Sequence, residues 1–326
     1  MAKTDMRASF TAASVMPAKV LQDNKLIETI VNKGIIPPIH AQVIPTNRCN
    51  LNCTFCSCRK RNKQDELSLN ELTQLACDLK QLGCRAVTIT GGGEPLMHKQ
   101  INEIIDRFSV NGIKVGLVSN GLLLGRLTEE TLQKIVWCRI SCADDRVATD
   151  ATFAVIKKTI TAGKNVDWAF SYVIGKDHNS KNLQNYIRFA NDNNFTHVRV
   201  VSDLCDLEES PDMSTIKSGI TIDDSKVIYQ GRKEFTHGVK DCRISLLRPT
   251  IGADGNIYPC CGVQYAWQES PLDLPEGMKM GHIRDIKAIY ANQGIFDGTQ
   301  CYRCYYGEYN ETLDILTQNI EHREFL

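Results

Sequence analysis

The 326-residue sequence has no excess of either charge, since 38 lysines and arginines face 38 aspartates and glutamates. It has no basic stripe either; nothing is denser than Arg59-Lys60-Arg61. Nucleic-acid binders draw most of their affinity from phosphate contacts, so the composition argues against duplex DNA or RNA as a partner. No apolar run reaches the roughly 20 residues that a membrane span needs. Residues 1–10 (MAKTDMRASF) lack an apolar signal segment, which points to the cytosol and away from a membrane. Internal repeats, low-complexity tracts and coiled-coil heptads are missing as well. What the chain does have is cysteine, fourteen in all. Disulfides are rare in the cytosol, where clustered thiols bind metals or do chemistry.

Between residues 40 and 202, short β-branched runs alternate with longer amphipathic stretches, the pattern of βα units around a parallel sheet. Six strands are expected, at 40–46, 85–90, 113–119, 137–142, 167–174 and 196–202. The segments between them carry apolar residues at helical spacing, as in Leu69, Leu72, Leu75, Ala76, Leu79 and Leu82, with Ser68 or Asn70 available as a cap. Six units are too few for the closed eight-stranded barrel. The expected fold is therefore α/β, a partial (βα)6 TIM-like barrel, with chemistry at the carboxyl ends of the strands. Residues 1–39 form an N-terminal extension, 40–202 the barrel, and 203–240 a more polar linker or helical segment. In 241–326 the βα rhythm stops and turns and cysteines multiply; a bound metal centre could staple this small α+β region, because below roughly 80 residues a core alone is weak.

Directly after the first expected strand comes a C-x3-C-x2-C loop, Cys49, Cys53 and Cys56. Iron-sulfur clusters normally take four cysteines, so a trio leaves one iron without a protein thiolate and open to chemistry. The alternative is a structural zinc site completed by Cys58 or a distant histidine, although zinc motifs usually pair separate knuckles. The second expected strand ends in Gly91-Gly92-Gly93-Glu94-Pro95, where glycines let backbone approach a ligand closely. After the third comes Ser119-Asn120-Gly121, and Ser141 stands near the end of the fourth.

This set resembles the radical S-adenosylmethionine (SAM) superfamily. The resemblance implies that Cys49, Cys53 and Cys56 hold a 4Fe-4S cluster whose fourth iron is chelated by SAM. It also implies that Phe55 packs near the adenine, that Gly92, Gly93 and Glu94 form the GGEP turn at the methionyl ammonium, and that Ser119, Asn120 and Ser141 contact the cofactor. Relatives carry an arginine after strand four that meets the SAM carboxylate; Arg146 is the nearest candidate here.

Downstream, Cys242, Gly255 and Cys260 stand in a C-x12-G-x4-C pattern, followed by Cys301 and Cys304. Asp254-Gly255-Asn256 is a hairpin-turn signal, with Thr250-Ile251 and Ile257-Tyr258 as its strands. The pattern resembles the SPASM and twitch extensions of radical SAM enzymes. It implies one auxiliary 4Fe-4S cluster held by Cys242, Cys260, Cys301 and Cys304, the count of a twitch domain. A zinc ribbon is the alternative. Cys77, Cys84, Cys138, Cys142 and Cys205 read as small buried residues, and His98 as the start of a helix.

The resemblance implies an enzyme that cleaves SAM reductively to a 5′-deoxyadenosyl radical, with electrons from a flavodoxin- or ferredoxin-type donor. The expected substrate is a small sugar, aminocyclitol or nucleotide metabolite. A peptide or protein side chain is the second reading, and a zinc-stabilised binding module without redox chemistry the third. A base for a second proton belongs at a strand end, where Asp203, Asp206, Asp144, Asp145 and Tyr172 are the candidates.

Overall fold

The computed structural model describes residues 18–146, 149–205, 211–231, 236–263, 276–318 and 321. Strands β1 (His40–Val43), β2 (Ala86–Ile89), β3 (Lys114–Ser119), β4 (Ile135–Ala143), β5 (Asp167–Ile174) and β6 (His197–Ser202) run parallel, each paired with the next in sequence. The connections carry helices α2 (Leu69–Gln81), α3 (Ile101–Val110), α4 (Glu129–Leu132), α5 (Asp150–Ala162) and α6 (Ser180–Asp192), after an N-terminal α1 (Asn24–Val31). The sheet is open and not closed into a barrel.

Two features go beyond the expected architecture. The segment read as a linker or helical segment contains α7 (Met213–Ser218) and, beyond that reading, a seventh strand, β7 (Val227–Gln230), parallel to β6. Its four residues are too short a run to signal a strand alone; pairing with β6 supplies what propensity does not. The C-terminal hairpin, β8 (Thr250–Ile251) and β9 (Asn256–Tyr258), is built around Gly255 at φ +79. It joins the other edge of the same sheet, because β8 pairs parallel to β1 at Gln42 and Val43. A short β10 (Gly281–His282) completes the ten-stranded order β10-β9-β8-β1-β2-β3-β4-β5-β6-β7. Among the described residues of this region, helices α8 (Ile244–Leu247), α9 (Ile286–Asn292) and α10 (Gly307–Ile315) follow.

Period-2 and period-3.6 patterns meet in one core. Val87, Ile89, Val115 and Leu117 face the apolar stripes of α2 (Leu72, Leu75, Leu79) and α3 (Ile104, Ile105, Phe108), all at most 2% exposed. Ser68 starts α2 with a capping box, its hydroxyl accepting from Glu71 N while the Glu71 carboxylate accepts from Ser68 N. Because every βα unit turns at the same end of the sheet, the loops after β1 to β6 converge there. Among the described residues, no helix is long and apolar enough to cross a membrane.

Candidate active site

A cavity of about 270 Å³ opens at that convergence. Cys49, Cys53 and Cys56 line it from the loop after β1, Gly91 to Glu94 from the loop after β2, Ser119 and Asn120 from β3, and Ser141 from β4. Phe55 and Arg146 complete its wall. All the residues that the sequence singled out for cluster and SAM thus share one chamber.

The cysteine loop and the glycine turn are bolted together through backbone. Gly93 N donates to Thr46 O at 3.0 Å and Glu94 N to Arg48 O at 2.8 Å. Contact is so close that a Cβ on Gly93 would lie 2.0 Å from Arg48 O, and one on Gly92 1.8 Å from the Asn47 side-chain oxygen. Gly93→Ala is therefore expected to push the two loops apart, costing about 1–3 kcal/mol and weakening SAM binding. Thermal melting and SAM titration check this; an unchanged melt with unchanged SAM affinity contradicts it. The arginine side chains secure the loop further, Arg61 donating to Asn47 O at 2.7 Å and Cys58 O at 2.6 Å, while Arg48 pairs with Glu66.

Each of the three thiols receives a donor. Leu51 N points at Cys49 Sγ (3.4 Å), Arg146 Nη2 at Cys53 Sγ (2.7 Å) and Arg61 Nη1 at Cys56 Sγ (3.9 Å). Cys56 is held below the ordinary thiol range chiefly by a hydrogen bond from Cys58, with Arg61 adding to it against the opposing effect of burial. Burial pushes the Cys53 thiol up, and Arg146 pulls it back. Thiolates with N–H donors aimed at them are what a metal cluster uses, and such donors also tune its potential. The donor set fits a cluster with three protein ligands. Arg146 also sits over the Phe55 ring at 5.4 Å and donates to Ser141 O at 2.7 Å, so it braces the cysteine loop against the end of β4.

Glu94 lines the cavity and also ties its loops together. Its buried carboxylate accepts from Ser119 Oγ (2.8 Å), Asn120 N (2.7 Å) and Leu96 N (3.1 Å), tying the β2 turn to the β3 turn. Burial raises its pKa and these three donors oppose the rise. Asn120 reaches the cysteine loop through Asn50 at 2.7 Å.

The base candidates separate. Tyr172 is buried away from the cavity and donates to Asp144 at 2.8 Å, and Asp144 also accepts from Gly175 N, His178 and Asn179 N. Neither lines the cavity; together they pin the β4 and β5 loops. Burial raises the Asp144 pKa, and its hydrogen bonds, that from His178 first, bring it below the ordinary value. Asp145 is exposed. Asp203 lies between the cavity-lining Ser202 and Leu204, and Asp206 falls outside the described residues. Of the cysteines read as small buried residues, Cys84, Cys138 and Cys142 are buried, Cys77 is half-buried, and Cys205 is exposed, its thiol 3.6 Å from Phe55 O. His98 is buried, within hydrogen-bond distance of Leu67 O (2.9 Å), ahead of α3.

The second cysteine set also shares one pocket, with Cys242, Cys260, Cys301 and Cys304 all on its wall. Three of them again receive N–H donors: Gly262 N to Cys260 (3.2 Å), Tyr306 N to Cys304 (3.4 Å) and the Asn310 amide to Cys242 (3.6 Å). Burial and the neighbouring thiols push Cys242 up to about 11 and Cys301 up to about 12. Four thiols that resist ionising beside one another suit a cation that offsets their charge. Among the described residues, no three Cys, His, Asp or Glu side chains are gathered closely enough to hold a single metal ion.

An open parallel sheet whose carboxyl-end chamber gathers three thiols, a glycine turn and strand-end hydroxyls defines a cofactor-dependent α/β enzyme. Comparison with known proteins narrows the class. Residues 43–148 match the radical SAM superfamily. The chain is 26% identical over 284 residues to the GTP 3′,8-cyclase of Staphylococcus epidermidis, covering 72% of this chain and 81% of that one. It is 31% identical over 126 residues to a probable GTP 3′,8-cyclase of Archaeoglobus fulgidus, covering 38% of this chain and 40% of that one. Its fold is similar to Streptococcus suis SuiB bound to S-adenosylmethionine, with TM-score 0.61 and 16% identity over 94% of this chain and 81% of that one. The chain carries a radical SAM domain over residues 43–148, and a 4Fe-4S cluster and SAM are the cofactors of that family.

Proposed function

We propose that this enzyme uses the cavity between β1 and β4 to generate a 5′-deoxyadenosyl radical and to abstract hydrogen from a small biosynthetic metabolite of sugar, aminocyclitol or nucleotide type. The single observation behind this reading is the shared chamber: three thiols, the glycine turn and Ser119, Asn120 and Ser141 open onto one space. Cys49, Cys53 and Cys56 would ligate the cluster, leaving one iron for SAM. When bound, the cluster and SAM supply one-electron chemistry that no side chain can. The protein's own part is positional. Arg146 and Phe55 wall the cofactor side, the backbone of Gly92 and Gly93 approaches it closely, and Glu94 fixes the Ser119-Asn120 turn. A flavodoxin- or ferredoxin-type donor would deliver the electron.

Cys242, Cys260, Cys301 and Cys304 would hold the auxiliary 4Fe-4S cluster, which can take an electron back from a substrate radical in a net oxidation or serve as a relay. A nucleotide-type substrate is favoured by the Staphylococcus epidermidis relative named GTP 3′,8-cyclase, which covers 72% of this chain. The test is isotopic. Reduced protein with SAM and a pool of carbon-deuterated nucleotides and sugar phosphates should yield 5′-deoxyadenosine that carries deuterium. Transfer only from a deuterated peptide pool would replace this substrate class with the peptide one.

A further inference from the structure

The turn that follows β4 is held from three sides. Arg146 N closes it by donating to Ala143 O at 3.1 Å. Asp144, inside the turn, accepts from four donors of β5 and the loop after it. The carbonyls at its two ends are held from α6. Asn182 Nδ2 shares its hydrogens among Ala143 O (3.2 Å), Arg146 O (3.0 Å) and the Tyr172 hydroxyl (3.0 Å). Tyr186, one helical turn further on, donates to the same Arg146 O at 3.4 Å. Asn182 is itself locked, because its backbone N donates to the Asn179 side chain that caps α6 (3.1 Å). It is 3% exposed and shares the buried stripe of α6 with Leu183, Tyr186, Ile187 and Ala190. An amide placed among apolar side chains is costly unless its hydrogen bonds are made. Here they are made to the turn itself and to Tyr172, which holds Asp144.

We propose that Asn182 is a positioning residue for the cluster of Cys49, Cys53 and Cys56: by holding the Arg146 carbonyl it aims the Arg146 guanidinium at Cys53, and so sets the potential of that centre. The inference rests on the functional reading above and deepens it. The guanidinium donates to Cys53 Sγ and to Ser141 O, both at 2.7 Å, while its Nε is buried without a hydrogen-bond partner. Its direction is thus set by the turn it leaves and by the sulfur and carbonyl it reaches. A positive charge and an N–H at a ligand sulfur stabilise the extra electron of a reduced cluster. Arg146 held in place therefore raises the potential, and Arg146 released lowers it. Asn182 and Tyr186 lie behind the chamber wall, whereas Arg146 is part of it. Their influence on the centre runs through Arg146.

The experiment is a redox titration of the full-length, anaerobically purified holoenzyme without SAM, followed by electron paramagnetic resonance on the signal that SAM perturbs, with SAM affinity measured alongside. Asn182→Leu should keep the iron content, lower the midpoint potential of that signal and weaken SAM binding about tenfold, the loss of one hydrogen bond to a charged group. Asn182→Gln, which keeps the amide, should recover part of both. In an Arg146→Leu background, Asn182→Leu should produce no further shift, because two changes that act through one contact do not add. An unchanged potential in Asn182→Leu, or a shift that persists undiminished in the Arg146→Leu background, overturns the inference. If Asn182→Leu does not fold, Tyr186→Phe carries the test: a smaller shift in the same direction supports the inference and an unchanged potential overturns it. A wild type whose iron-sulfur signal is indifferent to SAM would instead count against the functional reading.

Discussion

Cys53→Ala is expected to lower the iron content of anaerobically purified protein from about eight to about four per chain, the difference of one 4Fe-4S centre, and to abolish SAM cleavage. The size of the effect follows from the loop. A cluster held by three thiolates and one exchangeable ligand has no spare protein ligand. Cys58, the other thiol of this segment, is buried and its Sγ points at Gly91 O (4.0 Å). Removing Cys53 also strips Arg146 of its sulfur acceptor at 2.7 Å, loosening the guanidinium from the wall it shares with Phe55. Cys49→Ala and Cys56→Ala should behave alike. Iron and sulfide analysis with a 5′-deoxyadenosine assay checks all three, and full turnover in any of them contradicts the ligand assignment.

Cys301→Ala should have the opposite signature: about four irons lost from the C-terminal pocket, SAM binding kept, and a large drop in melting temperature. Backbone pairs hold that pocket from several directions. Gly238 N donates to Cys301 O (2.9 Å), Thr236 N to Cys304 O (3.2 Å) and Cys242 N to Phe296 O (3.0 Å). None of these segments belongs to a long strand or helix, so the proposed metal ligation would be the staple that fixes them. The loss should reach the main parallel sheet, because β8 leaves this region to pair with β1. Zinc without sulfide in the wild-type protein would contradict the cluster and favour the zinc-ribbon alternative.

Much of this arrangement is legible in the sequence because its signals are local. The strand of residues 167–174 coincides with β5, and the others differ from the observed strands by a few residues at their ends. The cysteine loop, the glycine turn and the Asp254-Gly255 hairpin each declare themselves within a few residues. What escapes is set by tertiary pairing. Strand β7 exists because β6 offers it a ladder, and the hairpin's attachment to β1 spans about two hundred residues of chain, a distance over which no periodicity carries information. Glu94 sits in the expected motif, yet its carboxylate faces the β3 turn, a direction visible only once β2 and β3 are side by side. Asp144 and Tyr172 stand at strand ends as a base would, but they satisfy each other in the packing between sheet and helices.

The central claim is that three sulfurs leave one iron for SAM. Electron-nuclear double resonance on the reduced protein, with SAM carrying ¹⁷O in its carboxylate, addresses it directly. The account predicts a hyperfine coupling between that label and the cluster, lost in Cys53→Ala; a reduced cluster whose spectrum is indifferent to labelled SAM would contradict it.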